Sequence, residues 1–86
     1  MKTRIKKLII DACKLDVAPE EIKDDAILFG ENSDLSLDSI DAIEVILAIE
    51  KEFNIRLEID KEDALKMFNS VHSIVQYLGE KFASRL

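Results

Sequence analysis

The chain is poor in the residues that usually punctuate or crosslink a fold: its 86 residues include two glycines, one proline, one cysteine and one histidine. So few breakers argue against a disordered or turn-rich chain. The single Cys13 cannot close an internal disulfide. The longest apolar run near the N-terminus, Leu8-Ile9-Ile10, is far too short for a signal peptide or a membrane span. These absences predict a soluble cytoplasmic protein with no membrane insertion. Basic residues are scarce in the middle third, where residues 31–63 set Lys51, Arg56 and Lys61 against eleven acids, a local charge of −8 within a total of −6. Nucleic acid is excluded as a partner, because phosphate recognition needs clustered Lys and Arg. The natural complement is a protein with a basic docking patch.

What is present is helical. Hydrophobic residues make up 48% and charged residues 35%, with Lys, Glu, Leu, Ile and Ala dominant, a balance that suits one globular domain over residues 1–86 with a single modest core. The pattern predicts an all-α fold, a small four-helix bundle of three main helices and one short one, with no strand. Ile5, Leu8, Ile9 and Ala12 share one face of a helix from about Thr3 to Leu15. Residues 16–37 form a long connection, with one short turn expected at Pro19 and with Phe29 and Leu35 expected to pin it to the core. A second helix is predicted from about Ser39 to Phe53. A short third follows, with Asp60 as N-cap, Asp63 at the third position, and Ala64, Leu65, Met67 and Phe68 inside it. The fourth starts near Ser70 and repeats Val71, Ile74, Val75, Leu78 and Phe82 on its core face.

The second helix carries the chemistry. Asp38 reads as its N-cap and Asp41, three residues on, completes an acidic variant of the capping box, which leaves Ser39 free for the surface at a helix start. First-turn N–H groups and the positive end of the macrodipole would suit a phosphate there. At 100° per residue, Ala42, Val45, Ile46, Ile49 and Phe53 form a core face, while Ile40, Ile43 and Leu47 cluster opposite, edged by Asp41, Glu44 and Glu50. This second row is either a small docking surface or a face covered by other parts of the domain. Ser39 has no activating base nearby, since the only histidine is His72. His72 and Cys13 read as structural. No metal site is expected: Asp34-Leu35-Ser36-Leu37-Asp38 alternates like a calcium loop but lacks the mid-loop glycine and puts Val45 where glutamate is needed.

Leu37-Asp38-Ser39-Ile40-Asp41, Ile43-Glu44, Ala48-Ile49-Glu50-Lys51-Glu52-Phe53 and the downstream Val71 and Ile74 helix together resemble the acyl carrier proteins across nearly the whole chain. The resemblance implies that a phosphopantetheinyl transferase joins 4′-phosphopantetheine from coenzyme A to Ser39 through a phosphodiester, and that acyl groups ride on the arm as thioesters. It implies a carrier, not an enzyme, serving fatty-acid, polyketide or related lipid synthesis. It also implies docking of acyl-loading, condensing and tailoring enzymes through Asp38, Ile40, Asp41, Ile43, Glu44, Leu47 and Glu50, with the carrier a monomer. Ile40 stands where leucine is usual, and Leu35-Ser36-Leu37 stands where the family often has glycine near the Asp-Ser pair. Both departures point to a specialised member. Peptidyl carriers typically show Gly-Gly before His-Ser or Asp-Ser, so the cargo is expected to be acyl rather than aminoacyl. The alternatives are an aminoacyl or peptidyl carrier, or an acidic helical adaptor that never uses Ser39 covalently.

Overall fold

The computed structural model describes residues 1–85. It consists of α1 (Lys2–Cys13), a single-turn 3-10 helix (Pro19–Glu21), α2 (Ser39–Phe53), α3 (Lys61–Met67), α4 (Val71–Phe82) and a closing 3-10 turn (Ala83–Arg85). Among the described residues there is no strand, only one isolated bridge between Phe29 and Leu37. The predicted all-α bundle is what the chain forms. Helix α1 packs against both α2 and α4, and the short α3 bridges α2 and α4.

The periodic apolar residues make one continuous core. Ile5 and Ile9 of α1, Val45 and Ile49 of α2, and Val71, Ile74 and Leu78 of α4 are fully buried and meet in it. Burying each such aliphatic side chain contributes about 1.5–3 kcal/mol before chain entropy is set against it. Val75 and Phe82, read from the sequence as core, sit at its margin, with Phe82 tilted against Tyr77.

Helix α1 ends two residues earlier than its apolar pattern predicts. Lys14 turns left-handed at φ 53°, and the Leu15 N–H reaches back to the Ile10 carbonyl at 2.9 Å. That is the backbone arrangement that stops a helix while letting the next apolar side chain keep packing, so Leu15 continues the hydrophobic pattern without continuing the helix. Asn54 ends α2 the same way at φ 53°. In α3, Phe68 is the residue that stops the helix rather than a member of it, although its ring is fully buried.

The long connection is stitched down rather than loose. The Pro19 turn is closed by Glu21, whose carboxylate accepts from the Ala18 N–H at 2.7 Å. Ile22, Leu28, Phe29 and Leu37 are buried, whereas Leu35 only packs against the outside of the core. Phe29 and Leu35 thus both pack on the core as expected, Leu35 at its margin, and Leu28 and Leu37 add deeper anchors. Polar ties add to this: Asp24 pairs with Lys2 at 3.2 Å and Lys6 at 2.8 Å, and its carbonyl accepts from the His72 N–H at the start of α4. The Lys6 and Lys2 bonds hold the Asp24 carboxyl below the usual carboxylate range. The Leu28 N–H donates to the Asn69 carbonyl at 2.8 Å, so the segment before Ser39 hangs from the α3–α4 junction.

Candidate functional site

The start of α2 is capped by carboxylates on both sides. Asp38 Oδ1 accepts from the Ile40 N–H at 3.0 Å and the Asp41 N–H at 3.1 Å, while Asp41 Oδ2 accepts from the Asp38 N–H at 3.0 Å. The acidic capping box read from the sequence is therefore complete. The bond from the Asp41 N–H, more than any other contact, holds the Asp38 carboxyl below its ordinary range. With Asp38 in the cap, no hydrogen bond among the described residues engages the Ser39 hydroxyl, which is partly exposed at the first helical position.

The N–H groups of Ile40 and Asp41 in the first turn are bound to Asp38, as its role as N-cap requires.

Beside Ser39 lies a cleft of about 470 Å³, walled by Gly30, Glu31, Ser33, Ser36, Leu37 and Asp38 from the connection and by Leu65 from α3. Its wall is built around one hydroxyl that the sequence pattern did not single out. Ser33 Oγ donates to the Leu28 carbonyl and accepts from the N–H groups of Leu35 at 3.2 Å and Leu37 at 3.1 Å. Between those two amides Ser36 adopts φ 58°, a left-handed conformation that costs a non-glycine residue roughly 1–2 kcal/mol. Gly30, at φ 101°, closes the loop by donating its N–H to the Leu37 carbonyl at 2.9 Å. A serine inside Gly-Glu-Asn-Ser-Asp is a turn signal in the sequence, but nothing local says that its oxygen reaches forward to Leu37.

The outer row of α2 is open. Ile40 is 66% exposed, Leu47 55% and Ile43 40%, so no other part of the described chain covers them. Asp41 and Glu44 lie along the row as expected. Glu50 is placed differently: its carboxylate accepts from the Leu57 N–H at 2.7 Å and holds the α2–α3 connection. The acidic edge also reaches inward. Cys13 of α1 lies under the first turn, its Sγ 4.0 Å from the Asp41 carbonyl, and its thiol is pushed up to about 11 by burial first, then by the charges of Asp41, Glu44 and Asp38.

Comparison with known proteins bears on this site directly. The family model described as phosphopantetheine attachment site matches residues 3–78. An acyl carrier protein of Buchnera aphidicola subsp. Acyrthosiphon pisum (strain Tuc7) is 40% identical over 81 residues, covering 94% of this chain and 91% of the relative. An acyl carrier protein of Nitratidesulfovibrio vulgaris (strain DP4) is 37% identical over 81 residues, covering 94% of this chain and 96% of the relative.

Proposed function

This chain belongs to the phosphopantetheine-attachment family, among the acyl carrier proteins, and on that premise we propose that Ser39 is its attachment residue and that it is a monomeric cytoplasmic carrier of acyl intermediates for fatty-acid, polyketide or related lipid synthesis. The family's cofactor is 4′-phosphopantetheine. When bound, it supplies a thiol on a long flexible arm, which holds an acyl group as a thioester near whichever enzyme is docked.

The observation that carries the reading is a partly exposed helix-start hydroxyl that makes no hydrogen bond among the described residues, because Asp38 does the capping. The residues present suit the group. The cleft walled by Leu37 and Leu65 gives the apolar part of the arm a surface beside Ser39. Ser39 has no base to activate it within the chain. Deprotonation and metal-assisted phosphoryl transfer therefore fall to the transferase.

Partner enzymes would meet Ile40, Ile43 and Leu47 as the apolar centre of a small interface, with Asp41 and Glu44 as its charged rim. A rim of one sign speeds encounter with basic patches more than it tightens the complex, which suits a carrier that must release each enzyme. Glu50, already bonded to the Leu57 N–H, contributes to that rim only by its charge.

The test is intact-mass analysis after incubation with coenzyme A, magnesium and a broad-specificity phosphopantetheinyl transferase, run beside Ser39→Ala. One added phosphopantetheine in the native chain and none in the variant is the expected result. A native chain that stays bare with several transferases would leave the acidic adaptor as the better reading.

A further inference from the structure

We propose that Ser33 is the positioning residue for modification of Ser39, acting through the loop that joins Phe29 to Asp38; this rests on the reading of Ser39 as the attachment residue. Backbone bonds close the loop at its base, from the Gly30 N–H to the Leu37 carbonyl and from the Asp34 N–H to the Ile27 carbonyl, but they leave the turn around Ser36 to side-chain support. The loop lies in an irregular connection, its outermost residues Glu31, Asn32 and Asp34 are exposed, and it contains a left-handed serine at position 36.

A single hydroxyl answers these weaknesses together. By donating to the Leu28 carbonyl, Ser33 Oγ is fixed to a fully buried residue that is itself tied to Asn69. By accepting from Leu35 and Leu37, it grips the amides on both sides of Ser36 and so holds that residue in a conformation it would otherwise leave. Leu37 is followed directly by Asp38, the cap, and by Ser39. The chain of support runs from the buried Leu28 through one oxygen to the residue two before the nucleophile.

Losing the Ser33 hydroxyl should leave the core intact, because Leu28, Phe29 and Leu37 keep their apolar burial. The loop would then sample arrangements in which the wall of the cleft is displaced, and only a fraction of molecules would present Ser39 as the transferase requires. A fractional competent population raises the apparent dissociation constant by the inverse of that fraction and leaves the saturated rate alone.

The experiment is steady-state kinetics of phosphopantetheine transfer to the full-length chain, comparing native protein, Ser33→Ala, Ser33→Thr and the double variant Ser33→Ala with Ser36→Gly. Ser33→Ala removes all three hydrogen bonds of the hydroxyl to the backbone and is expected to raise KM about tenfold, with kcat within about twofold. Ser33→Thr keeps the oxygen and should stay near native. Ser36→Gly adopts the left-handed conformation without steric cost and should recover part of the loss. A native KM for Ser33→Ala, whatever its thermal stability, would overturn the proposal while leaving the carrier reading in place. A native chain that accepts no phosphopantetheine would overturn both. Should Ser33→Ala fail to fold, hydrogen exchange on the native protein decides: protected Leu35 and Leu37 amides uphold the role, and free-loop rates at both would refute it.

Discussion

Two helices of this molecule begin beside a serine, and the two serines are put to opposite uses. At α4, Ser70 is itself the N-cap: its oxygen accepts from the Ser73 N–H at 3.1 Å and shares a hydrogen bond with the Ser73 hydroxyl at 2.8 Å. At α2 the cap is Asp38, and Ser39 sits one position later with its hydroxyl uncommitted. A shift of one residue separates a hydroxyl spent on the fold from one available for chemistry. The outward faces differ in the same sense. Helix α4 turns His72, Gln76 and Glu80 to solvent, whereas α2 shows Ile40, Ile43 and Leu47. An apolar row on the outside of one helix, adjoining a helix-start serine whose hydroxyl makes no hydrogen bond among the described residues, is a feature that folding alone does not require.

The sharpest way to break this comparison is to exchange the losses. Ser39→Ala should abolish incorporation of phosphopantetheine in an intact-mass assay and leave the melting temperature where it was. Ser70→Ala should do the reverse, costing about 1 kcal/mol of stability through the lost cap and lowering Tm by roughly 4–8 °C, while modification proceeds to completion. If Ser70→Ala also blocked modification, the division of labour between the two helix starts would fail.

Next in size is the cap that frees Ser39. Asp38→Ala should lower Tm by several degrees and slow modification, because the first turn of α2 loses the acceptor for two of its amides. Asp38→Asn caps nearly as well and should keep the native Tm. Acid should imitate the alanine variant. The folded-state pKa of Asp38 lies below the ordinary value of 3.8, so its stabilisation is complete above that value and is lost as pH falls through the depressed one. Asp24 is lowered too, by its bonds to Lys6 and Lys2, so the two losses overlap in the same acid window. A pH series of thermal melts on the native chain and Asp38→Asn separates them, since the variant retains only the Asp24 contribution.

Smaller again is the effect of the exposed row. Leu47→Ser should change stability by no more than about 0.5 kcal/mol, because the side chain is already half in water, yet it should raise the transferase KM severalfold. Gln76→Ser on the outer face of α4 should change neither. Equal kinetics for the two variants would remove the apolar row from the docking surface.

The elements that were legible beforehand were those governed by period and by local capping. The two faces of α2, the reciprocal Asp38–Asp41 box and the core stripe of α4 follow from spacing within single helices; the first two form as read, and in the stripe Val71, Ile74 and Leu78 are buried while Val75 and Phe82 stay at the margin. What sequence could not supply were contacts across the irregular connection. Ser33 reaching Leu37, Glu50 reaching Leu57, and Leu28 hanging from Asn69 join residues whose approach depends on how the loop closes over the core, and no period encodes that. Leu35 illustrates the same limit. Its apolar side chain marks it as an anchor as plainly as that of Leu37, and only the left-handed turn at Ser36 decides which of them faces inward.

The smallest effect concerns a group beneath α2 rather than on it. Cys13 lies under the first turn, close to the Asp41 carbonyl, and its thiol is pushed up to about 11 because burial, reinforced by the charges of Asp41, Glu44 and Asp38, disfavours the thiolate. The sign is the same for every cause, so neutralising the carboxylates should lower the value while burial still holds it above an ordinary thiol. Alkylation by iodoacetamide against pH, followed by mass, measures this. Native Cys13 should react at least about tenfold more slowly at neutral pH than an exposed thiol, once the greater nucleophilicity of a high-pKa thiolate is allowed for. Asp41→Asn with Glu44→Gln should move the inflection downward by a fraction of a unit. An inflection that does not move would mean that the acidic rim of α2 acts on solvent alone, whereas a downward shift would show that the field partners meet outside the helix is also felt beneath it.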